Sequence, residues 1–175
     1  MYTTKEVCSN PGIDNEEEIK ILKNGTKRRY KNLVERAKIY NSPTLSFSEL
    51  WEIVLESYKN DFRCFYCNRK MRVKGDKNDS SDAFSIDHYI PLSEGGESSQ
   101  DNIVICCARC NLVKGTMNGD TFKGLLSQFD DSYLREKYLN EMYRASLSRK
   151  LERLESEGLL RKYRKTSIYQ TKLWR

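Results

Sequence analysis

Two runs, Cys64-Phe65-Tyr66-Cys67 and Cys107-Ala108-Arg109-Cys110, decide how this chain of 175 residues is read. Each is a Cys-x-x-Cys pair, and Met1 to Asn10 is polar, without the apolar run of a secretory signal. Outside an oxidising compartment, paired Cys-x-x-Cys motifs read as metal ligands before disulfides. The chain has one histidine, His88, so a site built from the two pairs uses four thiolates or leaves a position open. Four thiolates give zinc a closed, tetrahedral, structural site. Such a site supplies folding energy that a small core cannot. Cys106 and Cys8 are left over. Cys106 either replaces Cys107 as a ligand, at a less common spacing, or ends a strand as a small apolar residue. Cys8 has no assigned role.

Between the two runs, residues 72–82 form a polar loop, and Ala83 to Asp87 reads as a short strand ending at Asp87-His88. A loop with Gly95-Gly96 at its tip leads to a second short strand, Ile103-Val104-Ile105. After the second knuckle, Asn111 begins a helix that Gly119 interrupts. On the N-terminal side, Asn15-Glu16-Glu17-Glu18 opens a helix toward Leu22, and Asn24-Gly25 breaks it. A basic, amphipathic helix follows from Lys27 to Tyr40, and Asn41-Ser42-Pro43 ends it. Ser48 is expected to cap a third helix, Glu49 to Tyr58, that delivers the chain into Cys64. On the C-terminal side, Leu147, Leu151 and Leu154 follow helical spacing, with Gly158 as a stop. The basic run Arg161-Lys162-Tyr163-Arg164-Lys165 and an alternating tail through Ile168, Tyr169, Leu173 and Trp174 come last.

Apolar residues make up 38% of the chain and charged residues 32%, so the core is modest. No stretch approaches the roughly 18 apolar residues of a membrane span, and with no export signal a cytoplasmic location is expected. The net charge of +6 is unevenly placed: residues 121–175 carry 13 basic and 7 acidic side chains, and the rest of the chain balances. An anionic partner docking on the C-terminal third fits that asymmetry, as does a solvated helical face.

In order along the chain stand Cys64-x-x-Cys67, Ser85-Ile86-Asp87-His88-Tyr89-Ile90-Pro91-Leu92, Asp101-Asn102-Ile103-Val104 and Cys107-x-x-Cys110-Asn111-Leu112-Val113-Lys114-Gly115. This block, over residues 47–118, resembles the HNH endonuclease family in its four-cysteine zinc variant. The resemblance implies an α+β, mostly helical fold: a central zinc-stabilised ββα-metal core with helical N- and C-terminal extensions. The corresponding division is 1–46 for the N-terminal extension, 47–118 for the nuclease core, and 119–175 for a basic DNA-binding or dimerisation region. It also implies that His88 activates the attacking water. A histidine near neutrality suits a general base, and Asp87 offers a hard oxygen for Mg²⁺. Adjacent strand residues point to opposite faces, but at a strand end both can reach one cleft.

Many family members place a metal-binding histidine just after the last cysteine, where this chain has Asn111. That layout is similar to phage Holliday-junction resolvases of the endonuclease VII type. By that match Asn111 joins Asp87 on the catalytic metal, although Asn111 also suits a helix N-cap. Asn102 matches the middle residue of the family motif and is expected to brace the loop that holds His88, or itself to bind the metal; the two asparagines stay open as alternatives. Lys114 and Arg109 flank the helix start as candidate phosphate contacts. The implied cofactors are structural Zn²⁺ with catalytic Mg²⁺ or Mn²⁺. The implied chemistry is hydrolysis of double-stranded or branched DNA to 5′-phosphate and 3′-hydroxyl ends. The leucines at 147, 151 and 154 offer a homodimer seam, which a resolvase or restriction enzyme would use to cut two strands. Restriction and homing endonucleases remain alternatives, as does a non-catalytic zinc module that binds nucleic acid.

Overall fold

A two-stranded antiparallel sheet with a short helix against it forms the centre of the computed structural model, which describes residues 13–74 and 80–158. The order is α1 (Ile13–Ile39), α2 (Phe47–Lys59), β1 (Phe84–His88), β2 (Ile103–Cys107), α3 (Ala108–Lys114), α4 (Gly119–Ser127) and α5 (Ser132–Ser156). Two single 3₁₀ turns, Leu92–Glu94 and Gln100–Asn102, lie in the loop between the strands. The architecture is thus α+β and mostly helical. The expectations for Cys8, for the basic run 161–165 and for the tail 168–174 fall outside the described residues.

The strands pair from Phe84 opposite Cys107 to His88 opposite Ile103, so the first strand runs one residue further than its sequence suggests and includes His88. Phe84, which is fully buried, packs on Phe62 at 5.7 Å between ring centroids and lies under the Arg29 guanidinium at 3.8 Å. Leu22, Leu33, Leu50, Val54, Ile105, Phe122 and Leu139 complete a core shared by all the long helices.

Three boundaries differ from the sequence reading. Asn24-Gly25 does not break α1, which is one helix of 27 residues. A side chain at Gly25 would meet the Phe84 ring and the Arg29 guanidinium at 3.2 Å, so the glycine lets α1 approach the sheet closely. The cap of α2 is Ser46 rather than Ser48: its hydroxyl accepts from the Glu49 amide at 3.3 Å, while the Glu49 carboxylate accepts from the Ser46 amide at 2.6 Å. That reciprocal box satisfies two amides at once, which a cap at Ser48 would not. Gly119 starts α4 behind an Asn118 cap instead of interrupting a helix.

Candidate active site

The first knuckle turns through Asn68, whose φ of 59° an asparagine tolerates well. It is closed by hydrogen bonds from the Asn68 amide to the Cys64 carbonyl and from the Cys64 amide to the Arg69 carbonyl. The second knuckle is the start of α3: Cys107 is the N-cap, and its sulfur accepts from the Cys110 amide at 3.4 Å. The Sγ atoms of Cys64, Cys67, Cys107 and Cys110 all lie within 4.8 Å of one another. Roughly 3.8 Å between sulfurs is what zinc–sulfur bonds of about 2.3 Å at tetrahedral angles require. Hydrogen bonds from Cys107, Cys110 and Cys64 drive the Cys67 thiol far down, and those with Cys107, Cys64 and Cys67 drive Cys110 far up. Four sulfurs this close cannot all be thiolates without a divalent cation among them, and the donor set suits zinc. Cys106 stands outside the cluster, fully buried on β2.

Placing Cys107 at the cap puts Asn111 one turn inside α3, which removes its alternative role as an N-cap. Its amide nitrogen donates to Ser85 Oγ at 2.7 Å and to the Ile86 carbonyl at 3.1 Å. A carbonyl only accepts, so these bonds fix the nitrogen toward β1 and turn Oδ1 the other way.

Asp87 is 6% exposed. One of its oxygens, Oδ2, receives the Tyr66 hydroxyl at 2.7 Å and lies 3.0 Å from Lys114 Nζ. Burial raises the Asp87 pKa, against the opposing pull of Tyr66 and Lys114. Burial and the Asp87 charge raise that of Tyr66, which keeps its proton and donates it. Lys114 Nζ also donates to the His88 carbonyl at 2.8 Å. The expectation that Lys114 meets DNA phosphate is corrected here: its head group is almost fully buried against Asp87. Arg109 is likewise corrected. Its side chain is fully buried, its guanidinium pairs with Glu136 at 2.6 Å and reaches the Cys67 sulfur at 3.9 Å, and nothing of it faces solvent. Both cations point inward because buried carboxylates and thiolates need them.

His88 follows Asp87 at the end of β1, and its side chain has a different partner. Its Nε2 lies 2.7 Å from Ser98 Oγ. Burial first, then the charges of Arg36 and Lys114, push its pKa down to about 4. His88 is therefore neutral near pH 7. Ser98 is itself held by its carbonyl, which accepts from the Leu45 amide at 2.8 Å in the connection between α1 and α2. Asn102 touches neither His88 nor Asp87. Its oxygen accepts from the Ile90 amide at 2.7 Å, and its nitrogen donates to the Ile90 and Glu97 carbonyls at 2.9 and 2.8 Å. With all three bonds engaged, it clasps the two ends of the loop that carries Ser98.

Tyr66, Ser98 and Arg36 escaped the sequence reading. Tyr66 alone had a signal, since it lies inside a knuckle whose shape is set by its two cysteines. Ser98 is one serine in a Gly-Gly-Glu-Ser-Ser loop, and its partner is set by loop closure.

Residues 64–116 match the family model described as HNH endonuclease. No curated protein matches the chain.

Proposed function

We propose that the chain is a metal-dependent DNA endonuclease that hydrolyses phosphodiester bonds with His88 as general base. The HNH domain supports a nuclease of that family. The observation that carries the finer reading is the pairing of a neutral, oriented His88 with Asp87 one residue away, both fastened to Lys114. Ser98 accepts from Nε2–H, which leaves the lone pair of Nδ1 to take a proton from water. That water attacks phosphorus in line, the bond to the 3′-oxygen breaks, and the products carry 5′-phosphate and 3′-hydroxyl ends. Asp87 and the Asn111 amide oxygen would hold Mg²⁺ or Mn²⁺ as hard-oxygen ligands. A cation held there would stabilise charge on the phosphate and on the departing oxygen. Tyr66 and Lys114 hold the Asp87 carboxylate in place, and Asn102 holds the loop that orients His88. Zinc at the four cysteines serves as scaffold.

The layout of Asp87, His88 and Asn111 supports a branched-DNA resolvase of the endonuclease VII type, acting as a homodimer; a restriction or homing endonuclease is the competing subclass. The test is incubation of the purified protein with supercoiled plasmid, a four-way junction and a linear duplex, with and without Mg²⁺. We expect Mg²⁺-dependent cutting that falls about 10²–10⁴-fold in His88→Ala, with zinc content and circular dichroism unchanged. Cutting that survives in His88→Ala, or that needs no added divalent ion, would overturn the mechanism. Preference for the junction selects the resolvase. No cutting of any of these DNAs by the folded, zinc-loaded protein turns the reading to a zinc module that binds nucleic acid.

A further inference from the structure

Beside the candidate site, on the far side of α3, Leu112 faces a groove whose other wall is Ser146, Arg149, Lys150 and Arg153 of α5. Helix α5 lies outside the residues matched by the family model. At about 100° per residue these four α5 positions span an arc of about 100°, while Glu141, Glu152 and Glu155 fall outside it. Arg149, Lys150 and Arg153 thus share the face of α5 that borders the groove, whereas Lys137 and Arg144 lie on the opposite face.

We infer that this groove seats the phosphate backbone of the DNA strand next to the cleaved bond. The inference rests on the nuclease reading for its substrate and names where that substrate is gripped. Arg149 and Arg153 are one turn apart, about 6 Å of rise, enough to span neighbouring phosphates of a strand whose axial rise is about 3.4 Å. Arg149 donates to Ser146 Oγ at 3.3 Å, which holds its guanidinium along the groove. Among the described residues, Arg153 has an ion pair with Glu157, at 3.6 Å and with the Arg153 side chain 70% exposed, a weak contact that a phosphate displaces. The groove shares α3 with the site: Asn111 faces β1 and the next residue, Leu112, floors the groove. The two cations at first assigned to phosphate, Arg109 and Lys114, are buried. Backbone contacts near the site therefore have to come from elsewhere, and α5 supplies three.

The test is fluorescence anisotropy of the full chain, zinc-loaded and without added magnesium, on a linear duplex and a four-way junction across a salt series. In the triple variant Arg149→Ala, Lys150→Ala, Arg153→Ala we expect the slope of log K against log salt to shrink by about 2–3, at roughly 0.9 per lost phosphate contact. Arg144→Ala, an exposed cation on the opposite face of α5, is expected to leave binding within about twofold. An unchanged slope in the triple variant would overturn the groove, as would an Arg144→Ala loss equal to that of Arg149→Ala, which would mean a diffuse field instead of a seat. Cleavage is read separately. Normal salt behaviour with no Mg²⁺-dependent cutting by the wild-type protein overturns the nuclease reading and leaves the groove standing.

Discussion

Asp87 is a buried carboxylate whose partners decide what it can hold. Lys114 neutralises it at 3.0 Å, so removing that charge strands an anion in the interior. Lys114→Met keeps the aliphatic stem and is expected to cost about 3–5 kcal/mol of stability without magnesium. Added Mg²⁺ should then raise the melting temperature of the variant more than that of the wild type, because the cation replaces the missing charge. Equal shifts in both proteins would mean that Asp87 does not bind the ion. Next to Asp87 on β1, His88 is held down to about 4 from 6.5. Between those values the unfolded chain binds more protons than the folded one. Its contribution is complete above about 6.5 and is lost as the pH falls through 4, a change of about 3 kcal/mol. Urea denaturation from pH 7 to 4 should show that slope in the wild type and a flatter one in His88→Gln.

At the scale of elements, the approach of α1 to the sheet depends on a residue that looks like a helix breaker. Gly25 abuts the Phe84 ring, which is pinned between Phe62 and Arg29 and has no room to yield. Gly25→Ala gains about 1 kcal/mol of helix propensity and meets the ring at close contact, so the two effects nearly cancel. Gly25→Val overfills the contact and should destabilise the protein by about 1–3 kcal/mol in thermal melts. A neutral valine would show that α1 can draw away from β1. Much of the element plan was legible: the two strands, the helix after the second knuckle and the helix before the first all follow from local pattern. The Gly25 break was misread because a glycine needed for closeness and one needed for a turn are the same letter.

For the whole molecule, the four-cysteine cluster is the joint. It ties the segment after α2 to the start of α3, and through Arg109 and Arg69, both paired with Glu136, it fastens α5. Removing zinc with a chelator under reducing conditions should abolish near-ultraviolet dichroism and expose the core, since structural zinc contributes on the order of 10–16 kcal/mol. Cys107→Ala should lose the metal and Cys106→Ala should keep one zinc per chain, measured by atomic absorption. Loss of zinc in Cys106→Ala would contradict the geometry of the cluster. The sequence alone pointed to the four-cysteine cluster through its spacing, and to the mostly helical α+β class through the family resemblance, because ligand spacing and motif order are local properties carried by neighbouring letters. Only the tertiary structure decided that Arg109 and Lys114 face inward, that Ser98 and Tyr66 hold His88 and Asp87, and that Arg149, Lys150 and Arg153 of α5 border a groove with Leu112 of α3. Those assignments depend on which distant charges and surfaces become buried together, and burial is a property of the folded chain as a whole.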